Sequence, residues 1–236
     1  MRSRRGQSNV VGVALLLGIA IVSMGALTAT IGAIVDSNAA EADATRVAAD
    51  IETALDPVAS TGPRRGTVSF SDGTLSSTER TLQIRVDGTV TQTVRVDALV
   101  FESADQRVTF HTGAVVRGED DHAWMVTPPP ITVDEDVLVV SATKLGDNTR
   151  SVSGTGGVEA TLETDVSHDR VELGDETFSI AIETETPGAW ERFFREQNAT
   201  VAVETGSPPV VVATFEGSRT GYLVIHDLSL EVSGGG

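Results

Sequence analysis

Residues 10–35 read VVGVALLLGIAIVSMGALTATIGAIV. It is 26 residues of apolar and small side chains, inside a longer run, residues 6–35, that carries no charge. As a helix at ~1.5 Å per residue it is about 39 Å long, enough to cross a hydrocarbon layer of about 30 Å. Arg2, Arg4 and Arg5 precede it and Asp36 follows it. Basic residues stay on the cytoplasmic side, so the N-terminus is expected inside and the remainder outside.

Three kinds of segment share this outline. A secretory signal has a shorter core of ~7–15 residues ahead of a small-residue cleavage site. The core here is longer, although residues 37–40 (SNAA) are small. A plain signal anchor fits the length. The third kind is a class III signal, cut before the apolar stretch so that the helix stays on the mature protein.

Beyond the apolar stretch the helical pattern continues. Val35, Ala39, Ala42, Val47, Ala48, Ile51 and Leu55 fall at roughly helical spacing, and Asp43, Arg46 and Asp50 read as an ion-paired outer face. No Gly or Pro interrupts residues 33–56, and Pro57 ends the helix. Gly18, Gly25 and Gly32 recur every seven residues and fall nearly on one face. This stripe has two readings. One is a helix-packing seam in a filament core, since small residues let backbones approach closely in an apolar medium. The other is the ordinary glycine content of membrane helices.

After residue 57 comes a linker to residue 66, and the period changes from helical to two. Strands are expected at 67–71, 81–86, 93–96, 98–102, 107–111, 123–126, 137–142, 158–164, 170–173, 177–184, 200–204, 210–215 and 222–232. Asp72-Gly73, Asp87-Gly88 and residues 146–148 supply turns, and residues 154–157 (GTGG) read as a hairpin tip. One helix, residues 188–197, interrupts the strands, with Trp190, Phe193 and Phe194 on one face as core and with its charges outward. The expected class is α+β: a long N-terminal hydrophobic helix, then a mainly antiparallel β-sandwich-like domain with one short helix.

The composition narrows the function. Among 236 residues there are 34 acidic and 17 basic side chains, a net charge of −17, so a nucleic-acid partner held through phosphates is excluded by sign. There is no cysteine, hence no disulfide and no Cys-ligated metal. Lys144 is the single lysine. An acidic, lysine-poor, aromatic-poor surface suits very high salt, where charges are screened within a few ångströms; a halophilic source is expected.

No catalytic constellation emerges. His111, His122, His168 and His226 are not spaced as zinc ligands, and no Gly-x-Ser-x-Gly occurs. Residues 119–122 (EDDH) and 134–136 (DED) lack the spacing and glycine of a calcium loop and read as solvated acidic loops. No enzyme, metal or cofactor is expected. Asn198-Ala199-Thr200 is an N-glycosylation sequon beside a predicted turn.

Basic residues, then Gly6, then Gln7, then a hydrophobic helix resemble the archaeal prepilin and archaellin processing site. Bacterial pilins carry a glutamate at mature position five; here that position is Val11, as in the archaeal branch. Residues 125–131 (MVTPPPI), the Trp190-x-x-Phe-Phe helix and residues 200–203 (TVAV) extend the similarity to a family of uncharacterised haloarchaeal surface proteins with pilin-like N-termini. The resemblance implies cleavage between Gly6 and Gln7 by a prepilin-type signal peptidase. It implies a leader at 1–6, a stem helix at 7–56 and an extracellular β domain at 67–236. The partners implied are membrane lipid and other pilin-like subunits met through the stem. The expected protein is a non-enzymatic filament subunit held in the cell membrane before assembly, with the cell surface as its destination. The alternatives are a stand-alone anchored protein binding an envelope partner, or a minor pilin.

Overall fold

The structure, a computed structural model, describes residues 6–56, 61–146 and 151–235. The chain forms two compact units, residues 1–39 and residues 40–236. Helix α1, Gly6–Ala54, begins in the first and ends in the second. In the first unit it is the only described element. Its apolar run contains no proline, so nothing removes a backbone donor. The hydroxyls of Thr28 and Thr30 donate back to the carbonyls of Met24 and Ala26, each at 2.9 Å, which leaves no polar side-chain atom bare on those two turns.

The second unit is built on two sheets. The ten-stranded sheet runs β7 (Trp124–Thr127), β6 (Ala114–Arg117), β5 (Gln106–His111), β4 (Ala98–Ser103), β1 (Gly62–Thr78), β10 (Val152–Glu176), β14 (Arg219–Asp227), β9 (Val137–Lys144) and β8 (Ile131–Val133). Strand β15 (Glu231–Gly235) also pairs with β10. The five-stranded sheet runs β12 (Thr200–Glu204), β13 (Val210–Thr214), β11 (Phe178–Glu183), β2 (Thr81–Val86) and β3 (Thr89–Arg95). Among the described residues every pairing is antiparallel except β14 with β9. With the long apolar helix and the short helix α2 (Pro187–Glu196), the class is α+β.

Two hydrophobic cores form. In one, Leu82, Ile84, Ile180 and Val211 of the five-stranded sheet meet Leu138, Val140 and Leu223 of the ten-stranded sheet, with Trp190 and Phe194 of α2 among them. This is the sandwich-like layer pair that the alternating pattern predicts. In the other, Ala44, Val47, Ala48 and Ile51 of α1 pack on Val68, Phe70, Leu99, Phe101 and Leu162. The 25-residue β10 serves both. Ala160, Leu162 and Val166 lie in the α1 core, and Val171 and Leu173 pack against the α2 core.

Helix α2 behaves as its spacing predicts. Pro187 fills a first-turn position, where its missing N–H costs nothing. Trp190, Phe193 and Phe194 are buried, with ring centroids 5.2 to 6.3 Å apart, the range of favourable aromatic pairs.

Several details differ from the sequence expectation. Strands β2 and β12 have the expected bounds, but β6 and β8 were not foreseen; at four and three residues they are too short to show a period. Segments 158–164 and 170–173 are one strand, β10. Segment 222–232 is two strands, broken near Ser229, whose φ is 44°. Asp72-Gly73 is no turn but lies within β1. Residues 154–157 are no hairpin tip. They lie in β10, where one residue of β1, Ser71, stands against Gly156 and Gly157, a β-bulge. Asp87-Gly88 is a two-residue hairpin turn with φ of 48° and 79°, the pair of positive values that such a turn needs. Residues 147–148 of the third expected turn and residues 57–60 of the linker lie outside the described residues. The rest of the linker, from Gly62, is already strand β1.

The buried stripe of α1 also differs. Val35, Ala39 and Ala42 are exposed; the buried face is Ala40, Asp43, Ala44, Val47, Ala48, Ile51 and Leu55. Asp43 belongs to it because its carboxylate meets strand β1. Strand β4 reaches only Thr74–Thr78 of β1, so the first half of β1 has no strand on that edge among the described residues. Helix α1 covers it. Asp43 Oδ2 accepts the Ser71 N–H at 2.6 Å and Asp50 Oδ2 accepts the Ser69 N–H at 3.2 Å. The expected Arg46–Asp43 pair forms, at 3.2 Å. The expected outward face does not, because two of its three members are turned to the strand.

Candidate membrane and assembly surface

From residue 13 to residue 39, every described side chain of α1 is exposed. The large apolar ones range from 53% exposed at Ile31 to 71% at Val22. So many neighbouring Leu, Ile, Val and Met side chains in water would be strongly unfavourable. The helix is long and apolar enough to cross a membrane. Asp36 is the first charged residue after the apolar run, and the burial that ties α1 to the β domain starts at Ala40.

On this helix Gly18, Gly25 and Gly32 carry a common property. A Cβ added at any of them would meet nothing within 4 Å. Nothing inside the described chain therefore requires glycine at these positions. Around Gly18 the surface dips between Ala14, Leu15, Ile19, Val22 and Ser23. Gly6 and Gln7 are the first residues of α1; Arg2, Arg4 and Arg5 lie outside the described residues.

Asn198 and Thr200 of the sequon are both exposed while Ala199 between them is buried. Asn198 sits just past α2 with φ 59°, its N–H donating to the Arg195 carbonyl at 3.0 Å. Asparagine adopts this left-handed conformation more readily than most residues.

The acidic runs lie on different connections. Residues 119–122 include a single 3-10 turn, Asp120–His122. Residues 134–136 join β8 to β9, where the Arg219 Nε–H donates to the Asp134 carbonyl at 2.8 Å. No cluster of three metal-ligating side chains occurs among the described residues.

The histidines divide. His122 is exposed. His111 on β5 is buried against the edge of Trp190, with ring centroids 5.6 Å apart. Burial, then the Arg80 charge, pull its pKa down to about 3, so it is neutral in ordinary buffers. His168 and His226 come together, with their Nδ1 atoms 2.8 Å apart. Nothing in their spacing along the sequence brings them together. They are 58 residues apart in the chain, and only the β10–β14 register brings them opposite one another.

The chain belongs to DUF7289, a family of unknown function whose model matches residues 5–231. No curated protein and no solved structure matches it significantly.

Proposed function

We propose that the protein is a non-enzymatic type IV pilin-like subunit, stored in the membrane through α1 and assembled by moving that helix from lipid to a bundle of like helices. The observation that supports this most is the continuity of α1. One helix carries an exposed apolar surface at residues 13–35 and, from Ala40, a face committed to its own β domain. A plain anchor needs only the first part.

In this reading Arg2, Arg4 and Arg5 hold the start of the precursor in the cytoplasm. A prepilin-type peptidase cuts between Gly6 and Gln7, and loss of the three arginines takes the net charge from −17 to −20. Gly18, Gly25 and Gly32 form the close-approach face between helices, where tight packing replaces lipid contacts. The acidic β domain coats the outside of the filament and keeps it dispersed in concentrated salt.

Mass spectrometry of the protein from sheared extracellular filaments tests the proposal. The expected result is a mature N-terminus at Gln7 in filament material. A chain that starts at Met1, or one found in membranes but absent from filaments, overturns it and leaves an anchored surface protein; a start near Ala40 overturns it too and leaves a secreted β domain without its apolar helix.

A further inference from the structure

His168 on β10 and His226 on β14 are register partners. Their Nδ1 atoms are 2.8 Å apart and their rings meet edge to face, with centroids 4.8 Å apart. His168 is exposed. His226 is buried, and its Nε2 has no hydrogen-bond partner among the described residues. Between them they occupy the point where β10 passes from the core holding Val166 to the core against which Val171 packs.

Counting protons shows what this contact requires. Two neutral imidazoles share two N–H groups among four ring nitrogens. One N–H must lie between the Nδ1 atoms. When His226 supplies it, the buried Nε2 is a bare lone pair and the second N–H, on His168 Nε2, faces water. Add one proton and there are three N–H groups. With one still in the contact, both Nε2 atoms must carry the others. The buried one then holds a donor with no acceptor, which costs the full desolvation of that group. The alternative is to open the contact and let His168 take its charge into solvent. A metal ion held by the two Nδ1 atoms would force the same N–H onto the buried Nε2, which lacks the acceptor that metal-bound histidines normally have.

We propose that His168 and His226 form an acid-released latch on the β10–β14 seam, closed while both rings are neutral and opened when the pair takes up one proton. Asp56, just past the end of α1, acts in favour of the charged form of His226, but burial and the neighbouring His168 outweigh it and hold His226 below the ordinary imidazole value. Strand β9 presents uncharged Thr143 as the register partner of His226. On β10, Arg170 lies two residues along and is stacked over the Tyr222 ring at 4.2 Å. The next residue of β14, Asp227, is paired with Lys144 at 2.8 Å.

The test uses the full chain in detergent micelles with 15N-labelled histidine, between about pH 8 and about pH 5, where imidazoles titrate. At the upper end His226 is expected as the Nδ1–H tautomer, and both rings should change together on acidification. Hydrogen exchange in residues 166–172 and 222–228, corrected for its intrinsic pH dependence, should rise about tenfold over the same range. In His168→Gln, a change at an exposed site, exchange should already be fast at the upper end and show no step. An Nε2–H tautomer for His226 at the upper end overturns the latch. So does an undiminished acid step in His168→Gln. His111, at about 3, keeps a neutral ring through this window; the stability it costs below about pH 6.5 is common to the parent and to His168→Gln, so the acid step is read as the difference between the two.

Discussion

The carboxylate of Asp43 accepts the backbone N–H of Ser71 at 2.6 Å, and Ser71 is the residue that the β1–β10 register leaves without a partner. The Ser71 hydroxyl donates to the other Asp43 oxygen at 3.3 Å, and Arg46 pairs with that same oxygen at 3.2 Å. A buried carboxylate on a helix thus answers a donor on the open edge of a strand. Seven residues on, two turns along the helix, Asp50 does the same for Ser69. The open edge of β1, which would otherwise invite pairing with another chain, is closed by its own helix.

Asp43→Asn should therefore weaken the β domain without changing its shape. A charge-assisted hydrogen bond contributes about 1.5–3 kcal/mol, and a loss in that range is expected in denaturant unfolding followed by tryptophan fluorescence. The loss should persist at high salt, because the group is buried. An unchanged midpoint would mean that the helix is not docked on β1 as described.

Glycine substitutions should separate docking from assembly. A Cβ at Gly66 would fall on the Cβ of Ala54 and within 3.1 Å of its Cα, so Gly66→Ala should cost about 1–3 kcal/mol through overpacking. Gly18→Ala, Gly25→Ala and Gly32→Ala meet open space and should leave the unfolding midpoint of the β domain unchanged. If α1 packs against other copies, replacing all three by leucine should reduce sheared-filament yield while membrane levels stay constant. Normal filament yield in that variant would remove the glycines from the interface.

Acid sensitivity has a defined sign at His111. Its pKa is about 3 in the folded domain against an unfolded value of 6.5. Below the unfolded value the unfolded chain takes up a proton that the folded chain refuses. The stability tied to its neutral form is thus complete above about pH 6.5 and falls by up to about 1.4 kcal/mol per pH unit toward about pH 3. His111→Leu should flatten that part of the stability profile relative to the parent protein. Denaturant midpoints at a series of pH values give the comparison, and parallel profiles would refute it.

The exposed Asn198 and Thr200 lead to a fourth expectation. Intact-mass analysis of protein from its native host should show a glycan that Asn198→Gln removes; the fold should be kept, since neither exposed side chain is part of a core, with a small loss of stability because Gln tolerates the left-handed φ of residue 198 less well than Asn. An unmodified native mass would end this idea.

Elements whose signal is local are legible in the residues alone. Residues 10–35 exclude charge over more than seven helical turns, and no other structure buries or solvates so apolar a run as simply as one helix. Trp190, Phe193 and Phe194 repeat at helical spacing and fill the core as read. Strands β2 and β12 alternate cleanly, and their bounds follow. The tertiary structure decided everything that depends on register and on which surface meets which. A one-residue shift in pairing turns every side chain of a strand to the other face, so the meeting of His168 with His226 and the bulge at Ser71 exist only once β10 has found β14 and β1. The same holds for Asp43, which reads as a solvated charge on a helix. It is buried because the helix lies along an unpaired strand edge whose N–H groups need an acceptor, a requirement written 28 residues away in the chain.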